Sequence, residues 1–198
     1  MQQDKSKINL NVESGEIVQI FNATPGDCIV KINTTQKPRI IQLYPKSNLL
    51  SSKARSFSST DTTSTILERY LADVPVVSIE EVLFDFELSE ATNIPISLAD
   101  ADTCFRLNVL KAILEGAHVI QVISPWKISN ATDVILSAQE FAIEQAETRS
   151  CEAPAFVIFD GDAAPGITLN ADRVLRPVNG QMREMEVFFD IMPFICGF

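Results

Sequence analysis

The chain has little of what recognisable catalytic machinery needs. It holds seven glycines, one histidine and one tryptophan in 198 residues. No G-x-x-x-x-G-K-[ST] loop and no G-x-G-x-x-G run occurs, so backbone cradles for phosphate are scarce. No G-x-S-x-G turn presents a nucleophile, and the lone His118, in "GAHVIQVI", reads as a structural histidine at a strand entrance. The four cysteines, Cys28, Cys104, Cys151 and Cys196, are scattered with no C-x-x-C pair. That spacing speaks against a structural zinc and fits free thiols in a reducing compartment. No apolar run approaches the roughly 20 residues that span a bilayer, and "MQQDKSKINLNVESGE" has no apolar core of a secretion signal. The expectation is a chain cytoplasmic at synthesis, without a membrane partner.

What is present is an ordinary globular balance, 46% hydrophobic and 21% charged, with a net charge of −10. The charge is unevenly placed. Residues 28 to 60 carry six basic side chains and no acid, whereas residues 70 to 105 carry eight acids and no Lys or Arg. Blocks of opposite sign can attract within one subunit or between neighbours. Nucleic acid ranks below protein as a partner of the basic block, because an acidic body repels phosphate.

Hydrophobic patterning divides the chain in three. Residues 1–45 read as an N-terminal β segment. "GEIVQIF" and "CIVKI" flank Pro25-Gly26, which suits a type II turn and hence a hairpin, and "PRIIQLY" reads as an edge strand. Residues 46–65, with eleven Ser or Thr in twenty, read as an arm or loop ordered by a partner. Residues 66–198 read as a mixed α/β body. Here "TSTILERYLADVP" suits a short helix and "PVVSI" a strand; "EEVLFDFELSE" is ambiguous, its double glutamate favouring a helix start and its alternation of Val82, Phe84, Phe86 and Leu88 tipping it to a strand. Two long helices follow, in "DADTCFRLNVLKAILEG" and "DVILSAQEFAIEQAETR", with "AHVIQVI" and "AFVIF" as strands. Asn179-Gly180 marks a closing antiparallel hairpin. The fold class expected is therefore α+β: short strands, an arm, then a mixed sheet packed by two long helices.

The clearest candidate chemistry is "AFVIFDGD", an apolar strand ending in Asp160 and Asp162. It resembles the first motif of the haloacid-dehalogenase-like phosphatases. The resemblance implies a nucleophile at Asp160, a general acid at Asp162, and magnesium between them and a phosphate. It covers about eight residues and stops there, since Lys127 is the last lysine of the chain and no acidic pair follows. A strand-ending turn explains both aspartates, because Asp bonds its own backbone and Gly tolerates positive φ. Asp172 could add a third oxygen ligand for a calcium-like cluster, without the spacing of an EF-hand. Asp100 and Asp102 read as the acidic first turn of a helix. No cofactor and no metal is expected.

The remaining candidates are surfaces. Lys46, Lys53, Arg55 and Phe57 in the arm, Trp126 in "ISPWKIS", and Phe188, Phe194 and Phe198 in the apolar ending "EVFFDIMPFICGF" are candidate interface residues. Together with the missing catalytic constellation they lead to one principal expectation. The chain reads as a non-enzymatic structural or assembly subunit with homo- or hetero-oligomeric protein partners, an expectation that extends to a virion component such as capsid, neck or tail. The alternatives are a small metal-dependent hydrolase or phosphotransferase using Asp160 and Asp162, and a regulatory protein- or nucleic-acid-binding module.

Overall fold

A computed structural model describes residues 7–34, 37–45, 58–72, 78–125, 128–160 (Asp160 by its backbone) and 170–185. It contains strands β1 (Ile8–Val12), β2 (Ile17–Phe21), β3 (Cys28–Ile32), β4 (Ile40–Leu43), β5 (Val119–Ile123), β6 (Ala155–Asp160), β7 (Arg173–Val178) and β8 (Gln181–Glu184). The helices are α1 (Thr63–Leu71), α2 (Ile79–Asp85), α3 (Ala101–Leu114) and α4 (Ala131–Arg149). Six strands form one sheet in the order β4-β5-β6-β2-β7-β8, parallel except for the β7–β8 pair. The fold is mixed α/β with a mostly parallel sheet and four helices, which corrects the α+β expectation.

Burial explains the order. Every residue of β2 is buried, so the strand must be covered on both faces and takes the centre, between β6 and β7. On one face Ile17, Ile120, Val122, Phe156 and Ile158 pack against the helices. On the other, Val18, Ile20, Val119, Val157 and Phe159 pack under Leu10, Val12 and Val30 of a separate β1–β3 ribbon. Residue 45 is therefore no boundary in the sheet: the N-terminal segment supplies its central strand and, with β4, one edge.

The expected first hairpin does not form. β3 pairs with β1 in parallel, Ile8 opposite Cys28, and Pro25–Asp27 is a single 3-10 turn in which Gly26 needs no positive φ. The strand β3 alternates buried and exposed at Cys28, Ile29, Val30 and Lys31, which suits a ribbon with one wet face rather than the sheet interior.

The segment read as a strand by alternation is the helix α2. Ser78 caps it, its hydroxyl accepting the Glu81 N–H at 3.4 Å, and Glu80 and Glu81 fill the first turn. Val82, Leu83 and Phe86 are buried at helical spacing while Phe84 is 77% exposed, the pattern a strand would reverse. Of "PVVSI", residues 75–77 lie outside the described ones. The two long helices stand as expected. Asp100 caps α3, its Oδ1 accepting the Thr103 N–H at 2.7 Å, and Gly116 follows it at φ +71°. The closing hairpin also stands: Asn179 and Gly180 have φ of 50° and 80°, the left-handed pair of a type I′ turn.

Of the expected arm, residues 46–57 lie outside the described ones. Residues 58–65 are ordered: Asp61 holds Arg69 through two bonds of 2.7 and 3.0 Å, and Thr62 caps α1. Among the described residues no helix is long and apolar enough to cross a membrane.

Candidate functional site at the carboxyl ends of the sheet

Open parallel sheets bind ligands beyond the carboxyl ends of their strands, where neighbouring connections diverge. Here the divergence falls between β2 and β6. The chain leaves β2 for the β4 edge and leaves β6 for β7 on the other side, and the two strands end level, Phe21 opposite Asp160.

The turn after β2 is built to satisfy itself. Asn22 takes φ +54°, and Asp27 folds back so that its Oδ2 accepts the Thr24 N–H at 2.9 Å and the Thr24 hydroxyl at 2.7 Å. The Asp27 N–H in turn donates to the Thr24 carbonyl at 3.0 Å. Beside the turn lies a cleft of about 390 Å³, lined by Lys7, Asn22, Gly26, Asp27, Pro177 and Gly180 among others. Cys28, just behind it, is buried, and its thiol is pushed up to about 11 by that burial and by the Asp27 charge.

The candidate residues do not assemble into one centre. Asp160 closes β6 at the carboxyl end, while its side chain and Asp162 lie outside the described residues. Asp172 stands at the opposite end of the sheet. Its Oδ2 accepts the Ile17 N–H at 2.7 Å and its own N–H donates to the Ile17 carbonyl at 2.9 Å, tying the start of β7 to the start of β2. Four residues of strand separate Ile17 from the Phe21–Asp160 level, about 13 Å. One cation cannot bridge that distance, so the calcium-like cluster is ruled out. Among the described residues no three His, Cys, Asp or Glu side chains gather for a metal.

The other polar residues singled out make bonds within the fold. The Thr103 backbone bond lowers the Asp100 carboxyl, as a helix cap does. Asp102 accepts the Ser129 N–H at 3.1 Å. His118 Nδ1 accepts the Arg39 N–H at 3.1 Å and joins β4 to β5. The interface candidates Lys46, Lys53, Arg55, Phe57, Trp126, Phe188, Phe194 and Phe198 all lie outside the described residues.

Two polar features escaped sequence reasoning. Arg106, almost fully buried on α3, donates to the Phe86 carbonyl at 3.2 Å and the Ser129 carbonyl at 3.0 Å and pairs with Glu87 at 2.7 Å. It thereby joins the end of α2 to the entrance of α4. The second is a pair of facing arginines on the closing hairpin, Arg176 opposite Arg183. Counting back from Asn179-Gly180 would have found that pair.

The fold just described places the chain in the class of open, mostly parallel α/β sheets. Within that class it is similar to solved ATP-binding cassettes. A dimeric post-hydrolysis cassette bound to ADP and Pi superposes with a TM-score of 0.50, at 12% identity, over 91% of this chain and 89% of that one. The archaeal ribosome recycling factor, solved in complex with the archaeal ribosomal stalk protein, gives 0.55 at 11% identity over 93% of this chain and 37% of that one. A structure named RNase-L inhibitor gives 0.53 at 12% identity, with the same coverage of 93% and 37%. No family model matches the sequence, and no curated protein matches it.

The likeness overturns the principal expectation from sequence. A non-enzymatic structural subunit of a capsid, neck or tail is not what this architecture resembles; a solved neighbour that matches most of its length is an ATP-binding cassette holding ADP and Pi. The turn after β2, however, does not fit the phosphates of a nucleotide. A phosphate loop offers free backbone N–H groups and a lysine. Here the Asp27 carboxylate takes up the Thr24 N–H and sets a negative charge beside the cleft, whose cation, Lys7, comes from just before β1 and not from the turn itself.

Proposed function

We propose that this chain is an ATP-binding-cassette-type domain that works in a pair with a second cassette-type chain, one that carries a lysine-bearing phosphate loop. The observation that carries the reading is the superposition on a dimeric cassette over 91% of this chain. What favours an unlike partner is the turn after the central strand β2, where the Asp27 carboxylate, and no lysine of the turn, meets the backbone N–H of Thr24. Two copies of this chain would bring two such turns together. ATP handling then belongs to the assembled pair, with this chain contributing the face that closes over the partner's nucleotide. The cytoplasmic setting read from the sequence is part of the same proposal.

Light scattering after size exclusion, with and without ATP, tests it on this chain mixed with the cassette chain that co-purifies with it. Expected is a nucleotide-dependent one-to-one complex that turns ATP over. A chain that stays monomeric with that partner at every nucleotide condition, with no turnover by the mixture, overturns it.

A further inference from the structure

Most arginines of the described structure are already engaged. Arg39 pairs with Glu115, Arg69 with Asp61, Arg106 with Glu87, and Arg173 with Glu16. Arg176 and Arg183 differ. They are directly opposed across the antiparallel β7–β8 pair, and among the described residues neither has a carboxylate partner. Directly opposed residues in such a pair have Cβ atoms about 4.5–5.5 Å apart, and like charges there repel. Arg176 is half-buried and its Nε, buried from solvent, has no hydrogen-bond acceptor. A sequestered guanidinium donor without an acceptor is costly, and the facing cation adds to the cost.

The position of the pair gives it meaning. Register places Val18, Gln19 and Ile20 of β2 opposite Arg173, Val174 and Leu175, so Arg176 comes level with Phe21, at the carboxyl end of the sheet. Arg176 lies two residues from Val174 and so shares its face, where Val174 packs with Phe21 and Met185. Glu184, the nearest acid in sequence, is opposite Leu175 and acts on Arg173 instead. Among the described side chains, the pair therefore sets two facing positive charges at the carboxyl end of the sheet, one strand away from the self-satisfied turn after β2.

We propose that Arg176 and Arg183 form a binding site for a phosphate group, the two guanidinium groups sharing one tetrahedral oxyanion. Planar guanidinium forks match phosphate oxygens, and one dianion removes the repulsion while giving the buried Nε its acceptor. The site stands on the arginine geometry alone and does not need a cassette partner.

Thermal unfolding of the full chain, titrated with inorganic pyrophosphate at fixed ionic strength, tests it. Wild type is expected to show a saturable rise in Tm. Arg176→Gln and Arg183→Gln should each weaken the apparent affinity about tenfold or more, as loss of a charge-assisted bond requires. Arg149→Gln, a basic residue at the far end of α4, should leave it unchanged. Because Arg183 is exposed, its variant also has a ligand-free readout. In anion-free buffer Arg183→Gln should be at least as stable as wild type, since it removes a repulsion. A parallel titration with ADP distinguishes a nucleotide phosphate from a free one: the same loss in the variants assigns the site to a nucleotide, and loss with pyrophosphate alone assigns it to a free oxyanion. The proposal is overturned if wild type shows no saturable shift, if Arg183→Gln shifts as wild type does, or if Arg183→Gln is markedly less stable without anions.

Discussion

Asp27 closes on Thr24: one carboxylate oxygen accepts both the backbone N–H and the hydroxyl of the residue three before it. The contact is exposed, so its worth is that of a cap rather than of a buried bond. Asp27→Ala should cost about 1 kcal/mol in urea unfolding. A double-mutant cycle with Thr24→Ala should show that most of this is coupling between the two side chains. Two fully additive effects would mean that the pair does not hold the turn.

Arg106 serves two carbonyls and one carboxylate, and the partners are unequal. Glu87 is nearly half-exposed and can turn to water when its partner is removed; the buried Phe86 carbonyl cannot. Arg106→Ala should therefore cost about 3 kcal/mol, whereas Glu87→Ala costs about 0.5 kcal/mol. Arg106→Lys should recover little, because one ammonium cannot reach three acceptors set for a planar fork. Equal losses at Arg106 and Glu87 would contradict this arrangement.

The Asp100 carboxyl is held below its ordinary value by the Thr103 N–H it accepts at the start of α3. A depressed folded-state value stabilises the fold above the unfolded carboxyl pKa of about 3.9, and that contribution is lost as pH falls through the folded value. Asp100→Ala should thus lower the urea midpoint clearly at pH 6, and the difference from wild type should shrink as pH falls below the unfolded carboxyl value. Asp100→Asn, which caps without titrating, should show the smaller loss at pH 6. A difference between wild type and Asp100→Ala that does not change with pH would remove the carboxylate from the account.

Thiol chemistry separates the cysteines by burial. Cys151 is exposed, whereas Cys28 is buried with its thiol raised to about 11, so almost none of it is thiolate at pH 8. In a Cys196→Ser background, a charged thiol reagent should modify Cys151 at once and reach Cys28 and buried Cys104 only on unfolding. Fast labelling of Cys28 in the native protein would show that the β1–β3 ribbon opens.

Local signals were legible wherever one residue decides the backbone. Asn179-Gly180 specified its hairpin because both positions need positive φ, and Asp100 marked the cap of α3 for the same kind of local reason. Pairing between distant strands was not legible. "GEIVQIF" and "CIVKI" are near in sequence and a turn can be drawn between them, yet β2 belongs beside β6, some 140 residues later. What decides the matter is that β2 is apolar on both faces, and only a sheet covered on both sides can use such a strand. The candidate site was legible only as an absence. No phosphate loop was readable, and the closure of Asp27 on Thr24 depends on a backbone turn that the letters P-G-D do not announce.

The segment 82–88 shows the same contest at the scale of one helix. Alternation of Val82, Phe84, Phe86 and Leu88 argued for a strand and the double glutamate for a helix; the helix prevails, with Ser78 capping it. The outcome makes Phe84 and Phe86 opposites: Phe84 is 77% exposed, while Phe86 is fully buried, edge-on to Phe141 at 5.7 Å between ring centres. Phe86→Ala should cost about 3–5 kcal/mol, the price of an emptied aromatic site in a close-packed core. Phe84→Ser should fall within about 0.5 kcal/mol of wild type. In a strand the two would share a face and cost alike, so equal destabilisation in denaturant titrations would return the segment to the sheet.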